Sequence, residues 1–195
     1  MKTRVSTTDK TRKIVGMALF AAVVIVLQLV GSFIKFGMFS VSLVLLPIVV
    51  GAAVYGTASG AWLGLVFAIA VLISGDAAAF FVVNPMGTIV TVIVKGVLAG
   101  LCAGLTYRAL SNINKHLAVF TAAIVCPVVN TGIFLLGCAL FFMDLISQWA
   151  IALGFGENVV QYMFLGLAGG NFLFELLFNV VLSPVILRLL TIRKA

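Results

Sequence analysis

Apolar residues fill this chain in six runs, each closed by small or polar breakers. A helix needs about 20 apolar residues to cross a hydrocarbon core roughly 30 Å thick, so each run is read as a membrane span. The first covers about Ile14 to Val30 and stops at Gly31-Ser32, and the second covers about Val41 to Tyr55 and stops at Gly56. The third runs from Ala58 to Ser74 before Gly75-Asp76, and the fourth from Pro85 to Tyr107. The fifth occupies Leu117 to Met143, and the sixth begins near Val160 and ends by Leu190. Pro47 and the short Gly56-Thr57-Ala58 connection also allow the second and third spans to form a tight hairpin or a partly re-entrant pair.

Composition agrees with this pattern. Of 195 residues, 64% are hydrophobic and 9% charged, with a mean hydropathy of +1.32, a balance no water-soluble domain sustains. The basic residues then set the orientation. Lys2, Arg4, Lys10, Arg12 and Lys13 precede the first span, Arg108 and Lys115 lie between spans four and five, and Arg188, Arg193 and Lys194 close the chain. All three groups fall on one side of a six-span arrangement, which the positive-inside rule makes cytoplasmic. The loops on the other side hold Asp76, Asp144 and Glu157, and Lys35 as their only base. The fold expected is therefore an all-α integral membrane protein, a six-transmembrane-helix bundle with both termini cytoplasmic. Residues 1–13 and 191–195 form basic tails around a single membrane domain at 14–190. The net charge of +7 reflects topology and gives no reason to expect nucleic-acid binding. The first span is expected to be retained rather than cleaved as a secretory signal, because its loss would put the remaining basic loops on conflicting sides.

Catalytic chemistry is sparse. The chain contains no Gly-rich phosphate loop ending in Lys-Ser or Lys-Thr, no HExxH and no GxSxG. Cys102, Cys126 and Cys138 sit inside spans without metal-ligand spacing and read as packing residues. The single histidine, His116, opens span five beside Lys115, where a capping or interfacial role is expected. No catalytic residue, metal or cofactor is expected.

Polar residues within the spans are more informative, since an ionisable group in hydrocarbon is costly unless paired or hydrated. Lys95 lies near the middle of span four. Glu175 lies in span six, with Asn171 and Asn179 four residues to either side. Two readings stay open: a Lys95 to Glu175 ion pair across two helices, or a cavity for a polar solute. Asn84 before Pro85, Asn130 one turn from Pro127, and Gln161-Tyr162 add amides towards the external side. Phe80, Phe81 and Trp149 supply aromatics there, as interfacial anchors or as pocket walls. The candidate substrate-binding residues are Asn84, Lys95, Asn130, Gln161, Asn171 and Glu175. Glycines 56, 60 and 64, and again 96, 100 and 104, recur every four residues, a spacing that puts each set on one helix face for close packing. Ala18 and Ala22 form a third small pair near the start of span one.

The stretch from Phe39 through Pro47, Gly51 and Tyr55-Gly56 to Ala58, Gly60 and Gly64, followed by Asn84-Pro85, Lys95-Gly96 and Ala99-Gly100, resembles the substrate-binding (S) components of energy-coupling factor (ECF) transporters. The likeness rests on order and spacing over essentially the whole chain; Thr57 departs from the Pro that relatives commonly carry there. It implies a subunit that captures a water-soluble vitamin or related micronutrient from outside a prokaryotic cell membrane. In that family an Ala-xxx-Ala pair on the first helix, here Ala18 and Ala22, packs against a membrane-embedded coupling subunit. Two partner ATPase subunits would hydrolyse ATP, and the chain itself would not be an enzyme. Three other readings compete. A structural or scaffolding multispan protein of a cell-envelope complex would need no pocket. An intramembrane enzyme would use Asp76, Asp144 or Glu175 as acid or base. Self-sufficient secondary transport would require an ion site or an inverted repeat, which the sequence does not display.

Overall fold

The computed structural model describes residues 7–33, 35–36, 39–40 and 42–192. Lys2, Arg4, Val41, Arg193 and Lys194 lie outside the described residues. The chain is a helical bundle. Helix α1 (Thr7–Gly31) leads through a two-residue-per-strand antiparallel ribbon, β1 (Lys35–Phe36) and β2 (Phe39–Ser40), to α2 (Leu45–Tyr55). Helices α3 (Thr57–Ser74), α4 (Ala78–Val83), α5 (Pro85–Leu110) and α6 (Lys115–Phe141) come next. The last part comprises α7 (Met143–Ala152), the short α8 (Val159–Gln161), a π-helical turn at Tyr162–Leu167, α9 (Gly169–Val181) and α10 (Ser183–Ile192).

Among the described residues five segments are long and apolar enough to cross a membrane: Lys10–Gly31, Thr57–Ser74, Pro85–Leu110, Lys115–Phe141 and Val159–Arg188. The expected second span differs. Its helix, α2, has 11 residues and so rises about 16 Å, short of a hydrocarbon core. It is nonetheless the most enclosed element, with Leu45, Ile48, Val49, Val50 and Ala52 all buried. Helix α1 begins ahead of the apolar run, so that Lys10, Arg12 and Lys13 belong to it. The sixth run is divided rather than one continuous α-helix. It passes through the π turn, where Ala168 N–H donates to Met163 O at 3.1 Å, and restarts at α10 beside Pro184.

Glycine spacing explains the tightest contact. On α3, Gly60 and Gly64 face Gly100 and Gly96 of α5 so closely that a Cβ on Gly64 or Gly100 would strike the partner's backbone carbonyl. Two backbones in direct contact leave no room for side chains, which is what a four-residue glycine repeat permits. Gly75, with φ +84°, supplies the left-handed residue that ends α3.

The basic residues collect at one end. Met17 and Phe20 of α1 touch Ser59 and Tyr55 at the α2–α3 turn, and Gly104 near the end of α5 packs on Thr57 of the same turn. Lys10, Arg12 and Lys13 therefore share an end of the bundle with Arg108 and Lys115. At the opposite end, Phe80 is buried against Phe142, Trp149 and Phe134, with ring centroids 4.9, 5.6 and 5.7 Å away. This aromatic cluster, with Ile146, Tyr162 and Leu167, forms a second core distinct from the aliphatic one around α2 and α3.

Candidate functional site

Between the two cores lies a cavity of about 90 Å³. It uses the first half of α5 and the second half of α6, so it sits towards the end away from Arg108 and Lys115. Each helix supplies polar side chains at helical spacing. Thr88, Thr91 and Lys95 come from one face of α5, Asn130 and Thr131 from α6, and Asn171 and Glu175 from one face of α9. Gln28 of α1, Ser42 ahead of α2, and Asp76 in the α3–α4 turn complete the polar wall. Phe80, Phe134 and Phe142 make the apolar wall. An enclosure of mostly apolar surface with a few convergent polar groups is the usual form of a small-molecule site.

Local sequence explains how these groups are held. The Asn84 side chain accepts from Gly87 N–H at 2.9 Å and caps α5, while Pro85 takes the first helical position. That fixes the turn carrying Thr88, whose hydroxyl donates back to Asn84 O at 2.8 Å. Pro127, which cannot donate a backbone hydrogen bond, lies inside the continuous α6 one turn before Asn130. The π turn sets the phase of the last run so that Leu167, Ala168, Asn171 and Glu175 all reach the cavity.

Among the described residues Lys95 forms no ion pair with Glu175 or Asp76. Its Nζ lies 5.2 Å from the Phe134 ring centroid and 5.8 Å from that of Phe67, within cation–π range. Glu175 Oε1 instead accepts from Ser42 N–H at 3.2 Å, and Asp76 Oδ2 accepts from Gln28 Nε2 at 2.5 Å. Thr91 Oγ1, Asn130 Oδ1 and Asn171 Oδ1 are buried on this wall with no hydrogen-bond partner among the described residues. Such atoms cost free energy unless water or a ligand satisfies them.

Of the six candidate binding residues, Lys95, Asn130, Asn171 and Glu175 converge on the cavity. Asn84 and Gln161 do not: the first is occupied as a helix cap, and the second is exposed on α8. Asp76, placed by the sequence in a loop, lines the cavity, as does Gln28, which is 2% exposed. Gln28 had a signal, being an amide inside an otherwise apolar helix. Ala18 and Ala22 lie far from the cavity, exposed on α1 in a surface that also presents Ile14, Val15 and Leu19. No group of three or more metal-ligating side chains occurs among the described residues.

Comparison with curated proteins finds no match, and neither does comparison with solved structures. A family model does match, described as the ECF transporter, substrate-specific component, and it covers residues 12–187. That family consists of substrate-binding subunits of membrane transporters and is not a catalytic one. The match takes in all but the outermost residues of the membrane-capable segments and every polar group of the cavity, and on it this chain belongs to the substrate-specific components of ECF transporters.

Proposed function

We propose that this chain captures a small water-soluble solute, a vitamin or related micronutrient, from outside a prokaryotic cell and delivers it through an ATP-driven importer. The observation that carries the reading is the cavity: three buried polar atoms without a partner among the described residues face a space walled by Lys95, Glu175 and aromatic rings. The binding residues proposed are Lys95, Asn130, Asn171 and Glu175, joined by Gln28, Thr91 and Asp76. In this reading the single membrane domain spans 14–190, α2 serves as a short sixth crossing, and both termini are cytoplasmic. The basic end of the bundle supports that orientation, and it leaves the cavity nearer the outside.

Delivery then requires partners, a membrane-embedded coupling subunit and two ATPase subunits, with this chain hydrolysing no ATP. The docking face is the outer surface of α1 around Ala18 and Ala22. Its support is exposure: Ile14 and Leu19 on the same helix are 68% and 66% exposed, and small side chains allow another helix to approach closely. Once docked, the chain would tip within the membrane and release its solute inside.

Uptake by cells carrying the coupling subunits, with and without this chain, tests the reading. Replacing Ala18 and Ala22 with Trp should abolish uptake while leaving solute binding by the purified chain within about twofold of the native value. Equal loss of binding would show that this face belongs to the pocket or the fold rather than to docking.

A further inference from the structure

The cavity wall is electrically unbalanced, and for a chain that captures a solute this imbalance limits which solutes fit. Among its described lining residues Lys95 is the single base, set against two carboxylates, Asp76 and Glu175. With all three ionised, the wall carries one more negative charge than positive. The donors that reach the carboxylates among the described residues are neutral: the Gln28 amide on Asp76, and the Ser42 backbone N–H and hydroxyl on Glu175. Lys95 pairs with neither and lies against the rings of Phe134 and Phe67.

The unpartnered atoms point the same way. Thr91 is 5% exposed and Asn130 4% exposed, and both present oxygens to this cavity without a partner among the described residues, as does Asn171. The two amide oxygens accept hydrogen bonds and donate none. A wall with surplus negative charge and unfilled acceptors is complementary to a ligand rich in donors.

Resting on solute capture as the function, we infer that the solute of this cavity carries a cationic nitrogen, as an amine, an amidine or a charged heterocycle, seated against Glu175 and Asp76. Binding such a group brings wall and ligand to neutrality, whereas a lone anion doubles the buried excess, and uncompensated buried charge is strongly unfavourable. Lys95 can meet a carboxylate or phosphate of the same molecule, so zwitterions qualify and simple anions do not.

Three probes of nearly equal shape separate the possibilities: benzamidine, benzamide and benzoate, at matched ionic strength, in a thermal-shift assay on the purified, detergent-solubilised full chain. Benzamidine should raise Tm more than benzamide, and benzoate should not raise it. Glu175→Gln should weaken benzamidine about tenfold or more, the loss of a charge-assisted contact. A rise with benzoate that survives Glu175→Gln and disappears in Lys95→Met would overturn the inference. If none of the three shifts Tm, the ligand-free variants decide: Glu175→Gln more stable than Lys95→Met supports a negative excess, and the reverse order or equality refutes it. A benzamidine preference alongside no response to any vitamin would retire the vitamin assignment and leave the cationic preference standing.

Discussion

Asn84 and Asn130 are the same residue type with different work. Asn84 accepts from Gly87 N–H as the cap of α5, whereas Asn130 Oδ1 faces the cavity without a partner among the described residues. Asn84→Ala should therefore lower stability by about 1 kcal/mol, the usual cost of losing such a cap, and leave solute affinity unchanged. Thr91→Val should do the opposite. It removes an unsatisfied hydroxyl at nearly constant shape, so chemical denaturation should show stability unchanged or raised, while binding weakens about tenfold in a titration. The cavity was legible at Lys95, Asn130, Asn171 and Glu175 because a polar side chain in an apolar run demands a reason. It was not legible at Asp76, because a carboxylate in a turn looks the same whether it is solvated or held inward. Only the contact with Gln28, 48 positions away in sequence, distinguishes the two.

Apolar content marked the order of the runs, but neither their internal breaks nor which of them are long enough to cross: among the described residues five are, and the second is not. Apolar content carries no mark of the short α4 at Ala78–Val83, between the third and fourth runs, or of the π turn at Tyr162–Leu167, and Pro47 was the one hint that the second run holds only the 11-residue α2. These depend on packing between distant segments, as where Phe80 of α4 enters the aromatic cluster. The glycine ladders were more readable, because a four-residue repeat of the smallest residue has a geometric meaning on a helix. Gly64→Leu should separate α3 from α5 and cost at least about 1–3 kcal/mol, measured as a fall in Tm and in folded yield from detergent. Gly132→Ala is its control. Nothing lies within 4 Å of a Cβ there, and Tm should hold or rise.

Across the whole molecule, charge and polarity are divided by end and by depth. Basic residues mark one end of the bundle, aromatic residues close the other, and the polar cavity lies between them, nearer the aromatic end. The outer face of α1 is left apolar and exposed, with Ala18 and Ala22 in it. Membership of the ECF transporter substrate-specific components makes this chain a substrate-binding subunit of a transporter rather than a catalytic one. Binding by the isolated chain is thus the property on which everything else depends. The decisive measurement is a thermal-shift scan of the purified, folded and ligand-free chain against water-soluble vitamins and their precursors, since a ligand held by the native state raises its stability by mass action. Capture predicts that at least one compound raises Tm in a concentration-dependent way, and that Asn130→Ala with Asn171→Ala removes the effect. A flat response across the whole panel from a sample shown to be folded and empty would contradict it.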